Sequence, residues 1–156
     1  LEPLIGRTPE EVAHLVEPWV EDYIEPIIFS DATRTIAAHR KAGDRILVIS
    51  ASGTHLVKPI AERLGIDEVL GIELEVAHGF YTGKTVGTLT YREGKIIRLL
   101  EWLDEQEENL EGASFYSDSR NDLPLLLKVD HPHVVNPDPV LREQAEKAGW
   151  PIHHWK

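Results

Sequence analysis

Cysteine and methionine are both missing from the 156 residues of the chain. Without cysteine there is no disulfide framework and no thiolate metal site, so neither an oxidising compartment nor structural zinc follows from the sequence. Basic residues are scarce as well: sixteen Lys and Arg stand against twenty-seven Asp and Glu, a formal charge of -11. Such a surface repels a phosphate backbone over most of its area, which argues against nucleic acid as a general partner. No apolar run approaches the roughly 20 residues of a membrane span, and no internal repeat or low-complexity tract is present. The lack of methionine, together with the opening "LEPLIG", reads as a fragment or processed product, so the sequence does not speak to a leader segment.

What is present is the composition of an ordinary globular domain, 42% hydrophobic and 28% charged, in a chain long enough to bury a core as one domain. Thr8 and Glu11 make a capping box with Pro9 at the first helical position. Val12, Leu15, Val16, Trp19, Val20, Tyr23 and Ile24 then fall on one helical stripe, which Pro18 should bend or interrupt. A second helix is expected from a Ser30 or Asp31 cap to a stop at Gly43.

From Arg45 onward strand and helix alternate. "RILVIS" is a short β-branched run without polar alternation, as in a parallel strand covered on both faces. "THLVKPIAERLG" reads as a helix with Leu56, Val57, Ile60, Ala61 and Leu64 inward. "EVLGIELEV" and "GKTVGTLT" are two strands around the turn-like "AHGFYTG", equally readable as a hairpin on the sheet rim. "GKIIRLLEWLDEQ" is a helix burying Ile96, Leu99, Leu100 and Leu103. "ASFYSD" and "HVVN" are strands flanking a short helix, Asp138 caps a last helix, and "WPIHHW" is extended. This alternation predicts an α/β fold, a Rossmann-like and mainly parallel sheet with flanking helices.

In open α/β sheets the working residues lie beyond the carboxyl ends of the strands. Ser50 ends "ILVIS", Asp118 ends "SFYSD", Asp122 lies one turn further, and Lys95 starts a helix. Two such carboxylates offer hard oxygen ligands to Mg²⁺. Ser50 and the backbone amides after it, at Ala51 and Ser52, suit phosphate oxygens, and Lys95 supplies positive charge. Each residue alone also has a plainer reading: Asp122 as the cap of "LPLLL", Ser50 as a turn residue, Lys95 as a solvated lysine.

The ordered set resembles the motifs of the haloacid dehalogenase (HAD) superfamily, in particular its phosphoserine phosphatase-like branch, subfamily IB. "ILVISASG" is similar to the second motif, "EGKIIRLL" to the third and "YSDSRNDLPLL" to the fourth, with Ser117 where the branch usually has glycine, a departure taken as minor. The resemblance runs from about residue 26 to 156. It implies catalytic roles for Ser50, Lys95 and Asp118, and substrate contacts from Ser50, Ala51, Ser52, Lys95 and Asn121. It further implies Mg²⁺ at Asp118 and Asp122, the latter through a metal-bound water or by orienting Lys95. The implied activity is Mg²⁺-dependent hydrolysis of a small phosphorylated metabolite, such as phosphoserine or histidinol phosphate, through an aspartyl-phosphate, with a cytoplasmic location and no nucleic-acid or membrane partner.

The family's first motif, D-x-D-x-[TV], is absent, and with it the nucleophile. The expected organisation is therefore residues 1–28 as the end of a helical cap and 29–156 as an α/β core without its first strand. In that family the first strand lies mid-sheet, so a homodimer or a missing N-terminal segment would complete the sheet. The chain alone is expected to be inactive, and the alternative is a non-catalytic module that binds Mg²⁺ and phosphate or self-associates. The histidines at 131, 133, 153 and 154 match no ligand spacing and are expected at the surface. Trp102, Trp150 and Trp155 are expected to serve packing.

Overall fold

A computed structural model describes residues 2–156. The chain divides into two compact units, residues 1–90 and 91–156.

In the first unit, helix α1 (Pro9–Trp19) starts as its capping box demands, with the Thr8 hydroxyl accepting the Glu11 N–H at 3.1 Å. Two residues past Pro18 the helix widens into a π-helical turn, Val20–Ile24, the kind of irregularity that a missing N–H and a bulky ring produce. The apolar stripe splits in two. Val12, Val16 and Val20 are buried against Leu56, Ile60 and Tyr81, whereas Leu15, Trp19 and Tyr23 face outward. Helix α2 (Ser30–Lys41) follows; Phe29 occupies its N-cap position and Asp31 pairs instead with Arg34 in the first turn. Gly43, at φ +85°, stops it as expected.

Strand β1 (Leu47–Gly53) leads into α3 (Thr54–Arg63), whose Val57 and Ala61 are buried. Arg63 pairs with Glu17 and Glu25, tying α3 to the N-terminal helical segment. Strands β2 (Glu68–Ala77) and β3 (Phe80–Val86) form the rim hairpin. Its two-residue turn, His78-Gly79, has φ of +54° and +85°, the paired positive values of a tight hairpin loop. The sheet order is β1-β2-β3, with β1 and β2 parallel and β3 antiparallel, which leaves β1 at an edge.

The second unit opens with α4 (Glu93–Glu105), burying Lys95, Leu99 and Leu103, while Leu100 is exposed. Strand β4 (Ser114–Ser117), the short helix α5 (Leu123–Leu126), strand β5 (His131–Val135), helix α6 (Pro139–Ala148) and strand β6 (Ile152–His153) follow. The sheet is wholly parallel in the order β4-β5-β6, with β4 at an edge. Leu126, Val134, Leu141 and Ala145 are buried together, with Phe115, Trp150 and Ile152 packed around them. Asp138 caps α6 through the Leu141 N–H at 2.8 Å.

Two of the four singled-out histidines are not solvated surface residues. His133 Nδ1 lies 2.9 Å from His153 Nε2, and the His133 ring stacks on Tyr116 at 4.4 Å. Trp155 joins the group 5.7 Å from Tyr116. The register explains this: Tyr116 lies beside His133, and Val135 beside His153, so all three rings share one face of the sheet.

Candidate active site

Within the second unit, the end of β4 and the first turn of α4 converge. Lys95 is the third residue of α4, and its ammonium lies 2.6 Å from Asp122 Oδ1, with 10% and 12% of the two side chains exposed. The other Asp122 oxygen accepts the Ser117 hydroxyl at 2.6 Å. Ser117 Oγ also accepts the Ser119 N–H at 3.2 Å. Both oxygens of a mostly buried carboxylate are thus engaged, as burial of a charge requires. Asp122 does occupy the N-cap position of α5, yet it makes no side-chain capping bond there. The capping reading of Asp122 therefore gives way to a Lys95–Asp122–Ser117 relay.

Asp118 is exposed at the strand end. Its backbone carbonyl accepts the Asp138 N–H at 3.2 Å, which fixes the main chain there. Asn121 is exposed within the 3-10 turn Arg120–Asp122, which begins with the Ser119 hydroxyl accepting the Asn121 N–H. Asp138 secures this turn by accepting the Arg120 N–H at 2.8 Å in addition to its cap bond. Burial opposes ionisation of Asp138, but these amide bonds and the nearby Arg120 charge prevail and hold its carboxyl below the usual carboxylate value.

Ser50, Ala51 and Ser52 lie in the first unit, in an irregular stretch of β1. Ile49 pairs with Leu70 and Gly53 with Ile72, so three residues of β1 stand against Gly71 alone. This bulge re-aims the strand end. Ser50 Oγ accepts the Ser52 N–H at 3.1 Å, closing a small turn. A Cβ on Gly71 would stand 2.9 Å from the Ser52 carbonyl oxygen, so only glycine leaves room for the bulge. The buried Thr90, not singled out in the sequence, donates its hydroxyl to the Ser50 carbonyl. His55, in the first turn of α3, has its Nδ1 buried without a hydrogen-bond partner, and burial lowers its pKa.

As to metal, no group of three or more His, Cys, Asp or Glu residues with suitable placement occurs among the described residues. Mg²⁺ needs fewer: one or two carboxylates with waters and substrate oxygens fill its shell. An exposed Asp118 with Asp122 one turn away fits that donor set, with Asp122 bound to Lys95 and Ser117 and so suited to act through Lys95 or a water.

A family model described as haloacid dehalogenase-like hydrolase matches residues 1–127. The chain belongs to that family. Histidinol-phosphatase of Neisseria meningitidis serogroup C is 40% identical over 160 residues, spanning 100% of this chain and 72% of that protein. Phosphoserine phosphatase SerB1 of Mycobacterium tuberculosis is 32% identical over 151 residues, 97% of this chain and 49% of that one. A crystal structure of a protein of unknown function from Bordetella pertussis Tohama I superposes with a TM-score of 0.91 at 35% identity, covering 97% of this chain and 69% of the other. Apart from the meningococcal protein, the chain spans about half the length of the curated relatives it matches next. The family's mixed α/β fold with parallel strands, expected from the alternation after Arg45, is the one observed. No helix among the described residues is long and apolar enough to cross a membrane.

Proposed function

We propose that this HAD-family chain supplies the phosphate- and metal-binding residues of a Mg²⁺-dependent phosphomonoester phosphatase. Its substrates are small phosphorylated metabolites of the phosphoserine or histidinol phosphate kind. The observation that carries the reading is the buried Lys95–Asp122–Ser117 relay, which holds an ammonium fixed at a strand-end acidic cluster. A lysine committed in this way brings positive charge to a phosphoryl group without reorganisation.

In this reading Asp118 holds the metal directly, and Asp122 holds Lys95 in place. When bound, Mg²⁺ supplies charge that offsets the phosphoryl oxygens. The Ser50 hydroxyl, held by accepting the Ser52 N–H, donates its O–H to a phosphoryl oxygen, which can only accept. The Ala51 amide is a second donor, and Asn121 contacts the rest of the substrate. Lys95 neutralises charge between the phosphoryl group and the attacking carboxylate of a two-step transfer through an aspartyl-phosphate.

No D-x-D occurs within the 156 residues, so the attacking aspartate has to come from outside them, and the chain alone does not turn over. That same observation favours a second reading, in which the phosphate and Mg²⁺ residues serve binding only, or the open strand edges serve self-association. One comparison separates the two. The 156-residue chain and a longer product carrying D-x-D-x-[TV] are assayed for phosphate release from phosphoserine and histidinol phosphate, with and without Mg²⁺. Release by the longer product alone, and only with Mg²⁺, is expected; no release by it under any condition would sink the phosphatase reading.

A further inference from the structure

Where β1 bulges, no β2 residue is in register with Ser50, Ala51 or Ser52. A backbone carbonyl at such a break needs a donor. Thr90 provides it: this residue is 0% exposed, and its hydroxyl donates to the Ser50 oxygen across 40 positions of sequence. A fully buried hydroxyl is costly unless bonded, so the pairing serves both partners.

The consequence concerns the next amide. The peptide joining Ser50 and Ala51 is planar and trans, so its C=O and N–H point in opposite directions. Fixing the carbonyl toward Thr90 therefore fixes the Ala51 N–H in the opposite direction. The Ser52 N–H is already used by Ser50 Oγ, which leaves the Ala51 N–H and the Ser50 hydroxyl as the donors that the bulge can present. Gly71 completes the support from the β2 side, since a side chain there would press on the Ser52 carbonyl.

We propose that Thr90 is the positioning residue of the phosphate cradle: through the Ser50 carbonyl it aims the Ala51 amide at a phosphoryl oxygen. This deepens the phosphatase reading above and rests on its assignment of Ser50–Ser52 to phosphate. A small-residue run, "SASG", makes the bulge sterically accessible, and the distant threonine gives it one orientation.

The test follows backbone amide resonances of the full 156-residue chain during titration with inorganic phosphate in the presence of Mg²⁺. Wild type, Thr90→Val, Thr90→Ala and Thr90→Ser are compared, each first checked for native circular dichroism. A saturable Ala51 shift is expected in the wild type. Removing the hydroxyl should weaken phosphate binding about tenfold, the worth of one hydrogen bond of this kind, and abolish the Ala51 response. Thr90→Ser, which keeps the donor, should restore both to within about threefold. Should Thr90→Val not fold, Thr90→Ala against Thr90→Ser carries the same comparison. An undiminished Ala51 response without the hydroxyl overturns the role of Thr90 and leaves phosphate binding intact. Absence of any shift at Ser50–Ser52 in the wild type overturns the assignment of the cradle itself.

Discussion

Lys95 and Asp122, 27 residues apart in sequence, meet at 2.6 Å with about a tenth of each side chain exposed. Removal of one partner leaves the other charge buried and unmatched. Lys95→Met or Asp122→Leu alone should each cost about 3–5 kcal/mol in urea unfolding. The double variant should cost less than the sum of the two, because neither charge then remains stranded. Strict additivity in this cycle would show that the two side chains do not interact.

Ser117 replaces a glycine usual in the resembling branch, and the structure gives that serine a specific duty. Its hydroxyl bonds Asp122 and accepts the Ser119 N–H. Ser117→Gly should destabilise the chain by about 1–2 kcal/mol through the lost bond to a charged acceptor and the added backbone freedom. Ser117→Ala isolates the hydroxyl from the glycine effect, and thermal denaturation of both variants apportions the loss.

Asp138 links α6 to the turn carrying Asn121 and Asp122. Because folding lowers its pKa, the stability it contributes is fully present above the unfolded carboxylate value, about 3.9. That contribution is lost as pH falls through the lower folded value. Asp138→Asn keeps the capping acceptor without the charge, so its stability curve should flatten in the acid range below about pH 4. Asp138→Ala should lose about 1 kcal/mol at neutral pH as well. Denaturant titrations between pH 2.5 and 7, on the order of one per half unit, check both slopes.

Arg92 immediately precedes α4 with φ +51° and ψ -122°, in a turn closed by the Gly94 N–H on the Tyr91 carbonyl at 2.9 Å. That position suits glycine, and a side chain there costs about 1–2 kcal/mol. Arg92→Gly should raise the unfolding midpoint unless the lost stacking of its guanidinium, 5.2 Å from the Tyr91 ring, cancels the relief. Arg92→Gly and Tyr91→Leu, separately and together, distinguish the two contributions.

Elements whose signals are local were legible in the sequence. Thr8 and Asp138 cap where their spacing demands, Gly43 and Gly65 follow helix ends at positive φ, and the apolar runs became parallel strands. Features decided by distant partners were not. Whether Asp122 caps α5 or pairs with Lys95 depends on a helix far upstream, and the local pattern suits both. Thr90 gave no signal, because an isolated threonine has no periodicity and its partner lies 40 residues earlier. The apolar stripe of α1 is wider than the face it buries: periodicity reports which residues share a side, not how much of that side the rest of the unit covers. Leu15 and Tyr23, at 58% and 68% exposure, lie beyond the covered part. The pairing of His133 with His153 arose from strand register, which spacing alone does not disclose.

The sheet of the second unit runs β4-β5-β6, the same order as the chain. Each strand therefore finds its neighbour after one short helical excursion, with no long loop to close and no strand to insert between earlier ones. Folding speed depends on how far apart in sequence the contacts lie, so this sheet closes over shorter loops than a parallel sheet in which a later strand inserts between earlier ones. Asp118 and Asp122 lie in the excursion between the first two of these strands, so their backbone is placed by pairings close in sequence.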